Sequence, residues 1–178
     1  MKEKEVKECF SNALKEEQKG KKHKGLLIVK PDDAQAKGFL IKAKANLELC
    51  DLYKQKGFDY KIPEEWFYTL YYCGLAILSK FGVETRSQRC TAAFLRAVKD
   101  KGAIDYDDEF IDRITVYKEK NEISDVDERE HARYSSLIKM EEVEAVYKNM
   151  TDVCKRAISQ CEEIVYSEKK FVIPKDLI

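Results

Sequence analysis

Two short stretches of this 178-residue chain carry residue types that could do chemistry. The first is Glu128-Arg129-Glu130-His131-Ala132-Arg133-Tyr134. An imidazole changes charge near neutral pH, so His131 could take up a proton. Arg129 offers a planar fork that fits phosphate or carboxylate oxygens, and Tyr134 offers a hydroxyl donor. Residues two apart on a helix point about 200° away from each other. Arg129 and His131 therefore could not close on one phosphate within a single straight helix. The plainer alternative is a charged surface turn, with Arg129 in ion pairs and Tyr134 packing its ring on its neighbours. The second stretch is Arg86-Ser87-Gln88-Arg89. At a helix start, free backbone N–H groups and the helix dipole favour an anion, and two arginines add charge. Gln88 can hold a ligand but cannot shuttle a proton. The alternative is a Ser87 that serves only as an N-cap, with solvated arginines.

Other candidates are weaker. The basic run Lys19 to Lys24 could touch phosphates, although such runs are more often solvated linkers. Asp105, Asp107, Asp108 and Glu109 lack the spacing of an EF-hand loop and suit a helix N-terminus instead. There is no Gly-rich phosphate loop, no G-x-S-x-G and no H-E-x-x-H. The six cysteines include no C-x-x-C pair, so neither a metal nor a cofactor is expected. Cys154 and Cys161, seven apart, share a helix face. Reduced core thiols are expected, as in a cytoplasmic protein.

Composition narrows the field further. Lys plus Arg equals Asp plus Glu at 33 each, which argues against a surface that coats nucleic acid generally and leaves room for a local basic patch. Charged residues reach 37% with only seven Gly and three Pro, the mark of a helix-rich surface laced with ion pairs. Apolar residues at 44% are enough for a core. The N-terminus is charged, without the apolar stretch of a signal peptide. The longest uncharged run, Trp66 to Ser79, is shorter than the roughly 20 apolar residues that cross a membrane. A buried core helix explains it better.

Helical periodicity recurs throughout, and no segment alternates as a half-buried strand would. The expected architecture is all-α, an antiparallel up-and-down bundle of five to six helices with an N-terminal helical extension. Val6, Cys9, Phe10, Ala13 and Leu14 mark the extension, which with its basic linker fills residues 1–25. The bundle follows over 26–170, and 171–178 form an extended tail with Pro174. A helix from near Pro31 to Gly57 carries a stripe of Leu40, Ala43, Leu47 and Cys50, widened by Ile41, Ala45, Leu49 and Leu52. Pro63 opens a helix apolar nearly all round, ended by Gly82, which belongs at the bundle centre. Further helices run from about Ser87 to Lys101, from Asp107 onward, from a cap at Ser124 to Leu137, and from about Met140 to Lys169.

The order of these features over Phe39 to Lys169 resembles the HEPN superfamily, in particular its stand-alone prokaryotic branch. The likeness rests on an Ala- and Leu-rich early helix (FLIKAKANLELCDLY) and an aromatic central helix (WFYTLYYCGLAILSKFG). The loop Val83 to Cys90 and the segment Glu128 to Tyr134 complete it. Ser87, Arg129 and Tyr134 match the branch pattern. Gln88 stands where His is usual, Arg133 where Asp is usual, and the family's Arg-x4–6-His signature is absent. The resemblance implies a four-helix core, frequent homodimers, RNA or nucleotide as ligand, and toxin–antitoxin pairing with a nucleotidyltransferase. If the chain is an enzyme, it implies metal-independent endoribonuclease chemistry. His131 would be the base, Arg129 would hold the phosphorane charge, and Tyr134 would donate a hydrogen bond. The rival expectation is a non-catalytic dimeric interaction module.

Overall fold

Helix boundaries in this chain follow from local capping chemistry. The computed structural model describes residues 2–115 and 140–178. The Asp32 side chain accepts a hydrogen bond from the Gln35 N–H and so starts the helix Asp33–Lys56, two residues beyond the proline that marks this start in the sequence. Gly57, left-handed at φ 74°, ends it. Pro63 sits in the first turn of the helix Ile62–Phe81, where its missing N–H loses nothing. Gly82 (φ 70°) stops that helix, and a Cβ there would lie 2.4 Å from the Val29 carbonyl oxygen. Ser87 caps Gln88–Asp100 by accepting from the Cys90 N–H at 3.2 Å.

Six helices result among the described residues: α1 Lys2–Gln18, α2 Asp33–Lys56, α3 Ile62–Phe81, α4 Gln88–Asp100, α5 Asp108–Arg113 and α6 Met140–Val165. The last ends at Val165, the final residue of its apolar stripe and short of the expected Lys169. Helix α3, apolar nearly all round, takes the centre and packs on α2, α4 and α6. Trp66, Phe67, Leu70, Ile77 and Leu78 are buried along it. Burial of such side chains stabilises by about 1.5–3 kcal/mol each, which is why the most apolar helix lies innermost. The bundle is all-α, as the periodicity predicts.

The structure departs from the sequence expectations in several ways. A two-stranded antiparallel ribbon joins Leu26–Ile28 (β1) to Val83–Thr85 (β2), pairing Leu26 with Thr85 and Ile28 with Val83. Strands of three residues are too short for alternation to register. On α2, Ile41 (67% exposed) and Leu52 (46%) face outward, so the apolar stripe is narrower than its residue types suggest. The tail folds back. Leu177 is fully buried in a single 3-10 turn, and the Phe171 ring lies 5.3 Å from that of Phe81. Val6, Cys9 and Phe10 of α1 join the same core as the bundle. Finally, Cys9 and Cys90 form a disulfide where reduced thiols were expected. Facing helices α1 and α4 bring their Cα atoms to 6.0 Å, within the usual disulfide range.

Candidate anion-binding site

The site begins with one face of α1. Residues 8, 12 and 15 recur at helical spacing, so Glu8, Asn12 and Lys15 lie along one side, and Lys19 continues it in the turn after the helix. That side forms a wall of a cleft of about 410 Å³. The opposite wall comes from the segment after α1, through Lys24 and Gly25, and from the start of α4, through Ser87, Arg89 and Cys90. Gly25 is required there. A Cβ at that position would stand 2.1 Å from the Cys9 carbonyl oxygen, so only glycine lets the chain cross α1 this closely. The Glu16 carboxylate pins the crossing by accepting from the Lys24 N–H at 2.6 Å.

At the other end of the crossing, His23 is 2% exposed, with Nε2 3.3 Å from Glu84 Oε1. Glu84 also stands 3.6 Å from an Arg86 guanidinium nitrogen. The Ser87 N–H donates to Thr85 Oγ1 at 3.1 Å, and Thr91 Oγ1 donates to the Ser87 carbonyl at 2.8 Å. Backbone and side chain thus fix the loop into α4. Arg89 is set by Glu5 of α1, which accepts from its Nε at 2.6 Å.

The electrostatics follow from counting the cleft's own groups. Lys15, Lys19, Lys24 and Arg89 stand against Glu8 and Glu16, four cations to two carboxylates. Among the described residues, Lys15, Lys19 and Lys24 have no carboxylate within ion-pair distance. Lys44, Lys80 and Lys99 each have one, and Lys101 has two. Lys15, Lys19 and Lys24 therefore border one hollow as cations without a carboxylate partner among the described residues, while the Arg89 charge is shared with Glu5. With the α4 N-terminus opening onto it, the arrangement can hold an anion.

Of the four residues singled out in the sequence loop, Ser87 and Arg89 line the cleft. Arg86 is turned to Glu84 and half exposed, and Gln88 is not among the lining residues. The Arg129, His131 and Tyr134 set lies outside the described residues. Sequence reasoning passed over Lys15, Asn12 and the Cys9–Cys90 pair. The 8-12-15 spacing on α1 was the signal for the first two, while nothing in the sequence tied α1 to α4. Among the described residues no group of three His, Cys, Asp or Glu could hold a metal ion, and no helix is long and apolar enough to cross a membrane. No protein-family model matches the chain, nor does any curated protein or solved structure.

Proposed function

We propose that this chain is a HEPN-like, RNA- or nucleotide-associated protein that works in the cytoplasm and grips phosphate groups in the cleft between α1 and α4. One observation carries the reading: three lysines without ion-pair partners among the described residues meet Arg89 and the capped start of α4 around one cavity. Phosphate oxygens are the ligand that such donors and such charge fit best. The Ser87 match to the stand-alone branch falls in the same cleft, which supports the family reading. No hydrolytic step is assigned, because the Arg-x4–6-His signature is missing. A nucleotidyltransferase is the partner class to test, as toxin–antitoxin pairing implies.

The test is binding of a fluorescent single-stranded RNA and of a nucleoside triphosphate at low ionic strength. Affinity should fall steeply as salt rises, since each neutralised phosphate releases a counterion. Lys15→Gln with Lys24→Gln should weaken binding severalfold and flatten the salt slope. Absence of any salt-sensitive binding would defeat the assignment.

A second reading, the homodimeric interaction module, is favoured by one feature. Ile41 and Leu52 stand exposed on the outer side of α2, and large exposed apolar side chains sharing a face suit an interface. Light scattering on the intact chain discriminates. A dimer that Ile41→Lys converts to monomer supports it, and a monomer at every concentration eliminates it.

A further inference from the structure

The cleft holds a second reactive feature that phosphate binding leaves unused. Cys9 and Cys90 both line it, and their disulfide forms part of its wall. Neither residue is more than 7% exposed, so the cleft is the route by which a small molecule reaches the sulfurs. The two sulfurs are unlike. Cys90 lies in the first turn of α4, three residues after the Ser87 cap and next to Arg89. The positive end of the helix dipole stabilises a thiolate placed there. Cys9 lies mid-way along α1, away from the helix's positive end and next to Glu8, whose charge disfavours one.

We propose that the Cys9–Cys90 disulfide is a thiol–disulfide exchange site for small thiols that carry carboxylates, drawn in by Lys15, Lys19 and Lys24. The incoming thiolate attacks Cys9 Sγ. The Cys9–Cys90 bond breaks, and its electron pair leaves on Cys90 Sγ. A second thiolate then attacks the mixed disulfide, releasing the Cys9 thiolate and a small-molecule disulfide. Two small thiolates are oxidised and the protein disulfide takes up the two electrons. The leaving sulfur is the better-stabilised thiolate, which favours this direction over attack at Cys90. In a reducing compartment, where lasting disulfides are rare, this exchange sets whether α1 is covalently tied to α4. The inference shares its lysines with the phosphate reading but needs a different ligand and has a different readout.

Three thiols distinguish it: mercaptosuccinate, neutral 2-mercaptoethanol and cationic cysteamine, each reacted with the oxidised full-length chain in phosphate-free buffer. Rates are followed by intact mass after iodoacetamide quenching and expressed per thiolate. Mercaptosuccinate should react at least several times faster than 2-mercaptoethanol, cysteamine slower, with the spread shrinking as salt rises. The quenched adduct should sit on the Cys9 peptide, with Cys90 alkylated. Lys15→Gln with Lys19→Gln should bring mercaptosuccinate most of the way down to the neutral rate, with unchanged circular dichroism reporting that the fold is intact. Equal rates for all three thiols, exchange only in denaturant, or an adduct on Cys90 would each overturn the proposal. RNA binding is measured separately and stands or falls by itself.

Discussion

Between α1 and α4, two cysteines meet at the wall of an open cleft and are joined to each other. On the far side of α3, where α2 and α6 close over it, Cys50, Cys73, Cys154 and Cys161 are fully buried and remain thiols. Each of these finds a backbone acceptor or a neighbouring thiol instead of a partner in a bond. Cys161 Sγ lies 3.5 Å from the Cys73 carbonyl oxygen, and Cys50 Sγ 3.5 Å from that of Asn46. Burial pushes the Cys50 thiol up to about 12. The Cys161 hydrogen bond, followed by burial, pushes Cys73 well above the ordinary thiol range. The same residue type is therefore reactive in one seam and inert in the other. Access and charge decide which.

The contrast is sharpest in an all-or-none measurement. In the oxidised native chain the four inner thiols should be silent toward an aromatic disulfide reagent, and all four should react once guanidinium unfolds it. Mild reduction should expose two reactive thiols, not six. Even one inner thiol reacting at the native rate of an exposed cysteine would erase the distinction between the two seams.

Phe94 joins those seams, and its truncation comes next in size. Its ring is fully buried, 6.3 Å from Phe10 of α1 and 5.5 Å from Phe81 of α3, edge-on to both. Phe94→Ala should lower stability by about 3–5 kcal/mol, read as a shift in the guanidinium midpoint. A loss below about 1 kcal/mol, less than the usual range for such a deletion, would mean that α1 is held by the disulfide and surface ion pairs alone.

The difference between the seams also explains what could be read from the chain beforehand. The inner seam was legible because it is built from long periodic stripes: Leu40, Ala43, Leu47 and Cys50 on α2, and Val153, Cys154, Ala157, Cys161 and Ile164 on α6. Caps at Ser87, Gly57 and Gly82 were legible for the same local reason. The cleft was only half legible. Ser87 and Arg89 follow from a helix start, and the Lys19 to Lys24 run from charge, but they are about 65 residues apart in sequence. What brings them together is the crossing at Gly25, the β1–β2 ribbon and the buried face of α1. Those are tertiary facts, each resting on a few residues without a repeating pattern. Ile41 and Leu52 misled for the opposite reason, since an apolar type at helical spacing does not say which side has a neighbour.

The smallest expected effect tests how the inner seam is closed at its polar end. Lys80, 7% exposed at the end of α3, donates to Asp33 Oδ1 at 2.7 Å in the first turn of α2, and to the Ser167 carbonyl at 3.3 Å. The hydrogen bond from Lys80, then its charge, holds the Asp33 carboxyl below the usual aspartate range. A carboxyl lowered in the folded state favours folding when ionised. Its contribution is complete above the ordinary aspartate value of about 4 and is lost as pH falls through the lowered one. Asp33 is 68% exposed, so the effect is modest. Asp33→Asn should lower the denaturant midpoint slightly at neutral pH, and the two midpoints should converge as pH falls through the lowered Asp33 value and the native carboxyl is protonated too. Parallel pH curves for the two proteins would show that this contact adds nothing in solution. The polar closure of the inner seam would then rest on its other cross-links, Lys44 to Glu162 and Asn46 to Glu65, beside apolar burial.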